Sequence, residues 1–178
     1  MKGIVKELLG WIAVIILAVC AAWLVVTFVG QRTEVSGESM ATTLSSGDQL
    51  IVDKISYRFR EPKRYDIVVF PYRYEKGTYY IKRIIGLPGE TIQIIDGMVY
   101  IDGQPLHEHY GNEVINNPGM AEEPLTLGED EYFVMGDNRN NSTDSRNSNV
   151  GPIHRDELLG RAWVRIWPLS DFGVIKHE

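Results

Sequence analysis

The chain contains a single cysteine, Cys20, so no disulfide can form within one copy and the fold has to be held by packing. It has no basic stripe: 18 lysines and arginines stand against 24 aspartates and glutamates, mixed along the chain to a net charge of -6. That balance excludes a nucleic-acid partner gripped through its phosphates. There is no low-complexity tract, and the one internal echo, Ile-Asp-Gly at Ile95 and again at Ile101, is too local to signal a repeat architecture. Histidine is scarce too. His107 and His109 are spaced as neighbours on one strand face, but no further cysteine or acidic cluster completes a ligand set, and His154 and His177 stand apart. No metal and no cofactor are expected.

What the chain does have is an uncharged apolar run from Leu8 to Gly30. It exceeds the roughly 20 residues needed to cross a bilayer as a helix. Lys2 and Lys6 precede it, so the positive-inside bias assigns residues 1–7 to the cytoplasm and 31–178 to the far side of the membrane. A cleaved signal peptide is the competing reading, since Ala18, Ala21 and Ala22 are small, but its apolar core would span about 7–15 residues and this run is longer. Leu17-Ala18-Val19-Cys20 resembles a lipid-attachment site only weakly, because Val19 is bulky where a small residue belongs. The remainder, 31–178, is long enough for one domain with a real core and too short for two of ordinary size.

Beyond Arg32 short apolar runs alternate with turn signals: Gln49–Ile55, Asp66–Phe70, Thr78–Ile85, Thr91–Ile95, Met98–Ile101, Glu131–Met135 and Ala162–Trp167. The pattern predicts a mainly β domain. Asp96-Gly97, between Ile94-Ile95 and Met98-Val99, predicts a two-residue hairpin, since Gly accepts the positive φ such a turn requires. Gln104–Pro124 is polar and turn-rich and reads as a surface excursion. Trp163, Trp167, Tyr79, Tyr80 and Phe172 read mostly as core or sheet aromatics, with membrane-interface contact as the alternative for any left exposed.

Three segments carry chemistry. In Tyr80-Ile81-Lys82-Arg83-Ile84, strand alternation puts Lys82 on one face with Tyr80 and Ile84, and Arg83 on the other with Ile81 and Ile85. One of the two cations is expected to point inward; only Lys82 could then act as a neutral base, because burial lowers a lysine pKa whereas arginine stays charged. The other reading is a pair of solvated edge-strand charges. Ser36–Leu44 is loop-like, with Gly37 allowing close backbone approach and Ser39 followed by the hydrophobic Met40. Tyr132–Arg146 runs from an apolar strand into a loop dense with hydrogen-bonding groups. That loop is either an Asx-rich turn with Asp144 and Arg146 as an exposed pair, or a buried network that orients a reacting group. Together with the apolar run, these segments suggest a membrane-held serine hydrolase whose base is a lysine.

The ordered boxes resemble those of bacterial type I signal peptidases, the serine-lysine leader peptidases of family S26, in the small form with one N-terminal anchor found in Gram-positive bacteria. The resemblance covers nearly the whole chain: the anchor, Gly37-Glu38-Ser39-Met40, Gly47-Asp48, Tyr80–Glu90 with its Lys-Arg and Gly-Leu-Pro-Gly-Glu, and Gly136–Arg146. It implies an antiparallel β-sheet, barrel-like catalytic domain behind one transmembrane helix. It also implies Ser39 as nucleophile, Lys82 as general base and Ser142 as the hydroxyl that orients the lysine amine. Asp144, with Arg146 as its partner, would then brace the loop, and Asp137 and Arg83 are further supporting positions, all four structural. The Ser39 backbone N–H would donate to the oxyanion, and Gly37, two residues before it, has no side-chain donor to add. The implied partners are the bilayer and the signal peptides of exported preproteins, with small residues at the first and third positions before the cut; Met40 is expected to help line one subsite. One departure stands out: Thr42 occupies the place of the proline in the family's Ser-Met-x-Pro-Thr-Leu, which leaves the loop after Ser39 without the stiffness of a ring. Two rivals are a self-cleaving repressor, which would need another N-terminal region than this apolar run, and a non-catalytic or impaired membrane-anchored β domain, favoured by Thr42 alone.

Overall fold

The computed structural model describes residues 2–28, 30–111 and 113–177, without the side chains at 2, 4, 5 and 21–28. A helix, α1, covers Lys2–Phe28, about 40 Å at 1.5 Å per residue. Between Leu8 and Val19 its large apolar side chains are exposed. Among the described residues no helix is long and apolar enough to cross a membrane. Part of the expected Leu8–Gly30 span, the side chains from 21 to 29, lies outside the described residues.

The rest is β: β1 Gly30–Glu34, β2 Gln49–Asp53, β3 Ile67–Pro71, β4 Tyr79–Gly86, β5 Thr91–Ile95, β6 Met98–Ile101, β7 Gln104–Pro105, β8 Leu125–Thr126, β9 Glu131–Met135, β10 Ile153–His154, β11 Gly160–Trp167 and β12 Gly173–Val174. The main sheet runs β1-β2-β11-β3-β4-β9-β10 with β12 beside β11, the smaller one β7-β6-β5-β8. Every pairing is antiparallel.

All seven apolar runs are strands, trimmed or extended by a few residues at their ends. The β5–β6 hairpin turns on Asp96 (φ 49°) and Gly97 (φ 77°), both left-handed, which is the geometry two-residue hairpins favour. β1 escapes the apolar pattern because it is a polar, half-exposed edge strand paired with β2 alone. The short β7, β8, β10 and β12 hold too few residues for a period of two to show.

β4 positions the site. It lies between β3 and β9, with Lys82 opposite Val68 and Arg83 opposite Ile67 and Met135. On one face Ile84 packs with Val68, Phe70, Tyr132 and Val134. On the other, Ile85 joins the cluster under the smaller sheet and Ile81 joins the one beneath the Ser39 turn. Since both faces are covered, both cations are buried, Lys82 at 3% exposure and Arg83 at 0%. This corrects the expectation that one of them alone points inward, and it removes the edge-strand reading.

Two other expectations change. The 104–124 segment exposes much of its length but buries Ile115 and Ala121 in the smaller sheet's core, so it forms part of the packing. Of the five aromatics read mostly as core or sheet residues, Tyr79, Tyr80, Trp163 and Trp167 are sheet residues of β4 and β11 and Phe172 is not, but none is core: Tyr80 is half-buried and the other four are exposed. Along β11 the register slips between Ala162 and Val164 and again between Arg165 and Trp167. Alternation from the buried Ala162 turns Trp163 and Trp167 to the other face, which is left uncovered there.

Candidate active site

Ser39 sits on a turn between β1 and β2. The neck is closed by Val35 N–H to the Asp48 carbonyl at 2.8 Å and Gly47 N–H to the Val35 carbonyl at 2.9 Å. Within it Leu44 N–H donates to the Met40 carbonyl at 2.8 Å. Met40 and Leu44, four residues apart, are both buried in a cluster with Val35, Leu50 and Ile67. Two apolar anchors thus hold the turn while Ser39 stays half-exposed just before the first of them. Met40, expected to line a subsite, is at 1% exposure an anchor of this core. Gly37 adopts φ 91° and its N–H meets Ser46 Oγ at 3.2 Å. The Ser39 backbone N–H makes no hydrogen bond among the described residues, which leaves it available to an anion at the serine.

Lys82 reaches this turn from β4, with Nζ 2.7 Å from Ser39 Oγ and 3.0 Å from the Ile81 carbonyl. The amine also lies 5.0 Å from the centroid of the Tyr80 ring. Burial drives its pKa from 10.5 down to about 8, against the opposing pull of the Asp144 and Asp137 carboxylates. A buried amine whose pKa is lowered to about 8, in contact with a hydroxyl, is an arrangement in which the amine can take up the hydroxyl proton.

The loop after β9 supplies the supports, and the buried-network reading of it holds. Asp144, fully buried, accepts from Gly136 N–H at 3.0 Å and from Arg146 Nε and Nη2 at 2.9 and 2.8 Å. Asp137 accepts from Arg83 Nε and Nη2 at 2.8 and 2.7 Å and from Thr43 Oγ1 at 2.6 Å. Thr43 belongs to the Ser39 turn, so Asp137 ties the turn to the residue next to Lys82. Buried pairs of this kind are weak evidence for net stability; their value here is the single geometry they impose. Ser142 differs from expectation: its Oγ is buried with no hydrogen-bond partner among the described residues, and Lys82 is held by Ser39 and the Ile81 carbonyl instead. It lies against Gly136, where a Cβ would stand 2.6 Å from Ser142 Cβ and closer still to Ser142 Oγ and the Ser39 carbonyl.

Three sets of supporting contacts were not legible in the sequence. Arg139, nearly buried, is clamped by both carboxylate oxygens of Glu108, one at 2.6 Å, and donates from Nε to the Gly136 carbonyl at 3.1 Å. Arg83 is capped by the Tyr110 ring, 3.4 Å from its guanidinium carbon, and donates to the His177 carbonyl at 3.2 Å. Arg165 reaches the Thr43 carbonyl at 2.6 Å. A cavity of about 260 Å³ opens onto Ser39 and Lys82, walled by Thr33, Val35, Val69, Tyr80 and Ile81. Asn141 and Thr143 close this cavity on one side, whereas Asn140 and Ser142 face a separate polar cavity of about 400 Å³.

Thr42 adopts φ 84°. The left-handed region is an outlier for a β-branched residue and costs about 1–3 kcal/mol. Proline, locked near -65°, cannot occupy it. The turn is therefore held in a specific strained shape and is not merely freer for lack of the ring. Thr42→Gly is expected to raise stability by about 1 kcal/mol, the relieved strain less the greater unfolded-chain entropy, and Thr42→Pro to lower it. Denaturant midpoints at unchanged slope check both; a Thr42→Pro protein as stable as the parent would contradict the strained geometry.

The family described as "Signal peptidase, peptidase S26" matches residues 8–167. A probable signal peptidase I-2 from Synechocystis sp. is 42% identical over 157 residues, 85% of this chain and 70% of the relative. A signal peptidase I P from Bacillus subtilis subsp. natto is 36% identical over 172 residues, 93% of this chain and 92% of the relative. A crystal structure of a signal peptidase I from Enterococcus faecalis, 35% identical, aligns with a TM-score of 0.48 over 57% of this chain and 97% of that one.

Proposed function

The chain belongs to the peptidase S26 family of signal peptidases, and from that premise we propose that it removes signal peptides from exported preproteins as a serine endopeptidase, with Ser39 as nucleophile and Lys82 as general base. The observation that carries the assignment of roles is the 2.7 Å contact between Ser39 Oγ and a buried lysine amine whose pKa is lowered to about 8.

Neutral Lys82 takes the Ser39 proton as Oγ attacks the scissile carbonyl. The developing oxyanion accepts from the Ser39 N–H; Gly37 adds no hydroxyl, so the donors there are backbone groups. The lysine ammonium then gives its proton to the leaving amine, and the acyl-enzyme is hydrolysed by water that Lys82 deprotonates. Ser142, with its buried and unpartnered hydroxyl, is assigned to hold the lysine once the amine has released Ser39. Asp144 with Arg146, and Asp137 with Arg83, keep the loop and the base in register. A cavity walled by Val35, Val69, Tyr80 and Ile81 suits small apolar side chains before the cut.

We further propose that Leu8–Gly30 anchors the chain across the bilayer, N-terminus in the cytoplasm and catalytic domain on the far face. Support comes from the uncharged run, Lys2 and Lys6 before it, and the exposed apolar side chains from Leu8 to Val19. Enzyme and signal peptide held in one membrane meet at a raised effective concentration.

The test is to incubate the detergent-solubilised full chain with a preprotein carrying Ala-x-Ala and to locate the cut by mass spectrometry. One cut directly after the second alanine, abolished when that alanine is replaced by tryptophan, is the expected result. No cut, or cuts indifferent to that residue, would refute the assignment.

A further inference from the structure

The strained Thr42 raises a question that neither Ser39 nor Lys82 answers: what keeps the turn in that shape. A residue held at φ 84° without a glycine persists only where its surroundings over-determine it. Met40 and Leu44 anchor the two ends of the turn by burial. Between them Thr43 is gripped at two points. Its hydroxyl donates to Asp137 at 2.6 Å, and its carbonyl accepts from Arg165 Nη2 at 2.6 Å.

Arg165 comes from β11, 122 residues away along the chain. It stands opposite Leu50 of β2 on one side and Gly173 of β12 on the other, at the start of the slip in register that ends at Trp167. Its Nη1 lies 3.3 Å from the Asp48 carboxylate, the same oxygen that accepts the Ser45 N–H at 3.0 Å, and 4.0 Å from Asp171. Its Nε is buried with no partner. A guanidinium that forgoes one donor in order to meet both the turn carbonyl and the carboxylate closing the turn is set by those two contacts. The planar fork spans them, whereas a lysine ammonium is a single point.

We infer that Arg165 is a positioning residue for Ser39: by holding the Thr43 carbonyl and Asp48 together it keeps the nucleophile turn in the strained form that, in this chain, replaces a proline-stiffened one. The inference rests on the assignment of Ser39 as nucleophile. Without Arg165 the Thr42 backbone relaxes toward negative φ, and Ser39, three residues earlier on a tight turn, moves relative to Lys82. Displacements of about 1 Å at a reacting pair cost on the order of 100-fold.

The experiment uses the purified full chain and a preprotein substrate, comparing wild type, Arg165→Met, Arg165→Lys, Thr42→Gly and the Arg165→Met/Thr42→Gly double variant. Arg165→Met is expected to lower kcat by about 10- to 100-fold with KM nearly unchanged, since Arg165 is not among the residues of the Ser39 cavity. The double variant is expected to recover several-fold, because glycine adopts φ 84° without a restraint. Arg165→Lys keeps a charge for Asp48 and Asp171, so it folds and still loses kcat, which covers the case of a misfolded methionine variant. Hydrogen exchange of the Leu44 amide, bonded to the Met40 carbonyl, accelerates in both Arg165 variants without global loosening. Arg165 variants with wild-type kcat and exchange would overturn the inference, as would a kcat loss that tracks the melting temperature and ignores Thr42→Gly. Ser39→Ala, run in parallel, isolates the other assumption. Cleavage surviving in Ser39→Ala refutes the nucleophile while the exchange readout still decides whether Arg165 holds the turn.

Discussion

Alanine at Ser39 or at Lys82 is expected to lower kcat for preprotein cleavage by about 10⁴-fold or more, with the fold intact. Nucleophile and base act as one unit, so each single loss approaches the double loss and the effects do not add. The wild-type pH profile carries the more specific signature. With Lys82 as the proposed base, acting as the neutral amine, kcat/KM is expected to rise with pH through about 8, well below the ordinary lysine value, and to level off above it. The same burial makes a stability prediction as well. The folded-state pKa, about 8, lies below the unfolded value of 10.5, so between the two the unfolded chain binds more protons and stability climbs with pH. Below about 8 the penalty of a buried ammonium is fully present. Lys82→Met, inactive, should therefore be more stable than wild type at pH 7, by on the order of 2–3 kcal/mol, with the advantage shrinking as pH rises toward 10.5. Unfolding midpoints across pH, beside the rate profile, test both; a rate limb at an unshifted lysine pKa would remove Lys82 as the base.

The second large effect is expected at Gly136, a position with no reactive atom. Its backbone donates to Asp144 at 3.0 Å, its carbonyl accepts from Arg139, and the space a Cβ would need is taken by Ser142 and the Ser39 carbonyl. Side chain and backbone are both fixed there, so a methyl group cannot be absorbed by a rotamer change. Gly136→Ala is expected to cut kcat by about 100-fold or more and to leave a folded protein whose melting temperature falls modestly. Adding Ser142→Gly to remove the nearer clash should not restore activity fully, because the Ser39 carbonyl still collides. An active Gly136→Ala enzyme would mean that the nucleophile turn and the Ser142 loop can separate without consequence.

Much of this architecture could be read along the chain. Strands declare themselves by a period of two, and the Asp96-Gly97 turn by residues that accept positive φ. Ser39, Lys82 and the loop to Arg146 stand out because each box packs its chemistry into a few consecutive residues. What escaped reading has a different character. Alternation told that Lys82 and Arg83 face opposite ways, but not that both faces of β4 are covered, so the burial of both cations was out of reach. Nothing local pairs Glu108 with Arg139 or Arg165 with Thr43; those partners are chosen by the folded topology across 31 and 122 residues. The exposure of Trp163 and Trp167 was out of reach for a like reason, since it depends on whether anything in the fold covers their side of β11. The left-handed Thr42 is the sharpest case, since its own residue type argues against the conformation that its neighbours impose.

Local propensity and pattern were thus enough for the sequence to mark the seven apolar strands and the uncharged N-terminal run, and the resemblance of its ordered boxes singled out Ser39, Lys82 and the loop to Arg146, because each is encoded by residues adjacent in the chain. The tertiary structure alone decided the lowered lysine pKa, the orphaned Ser142 hydroxyl, the strained turn and the arginines that brace it. Those depend on desolvation and on contacts between distant segments, and neither exists until the chain has packed.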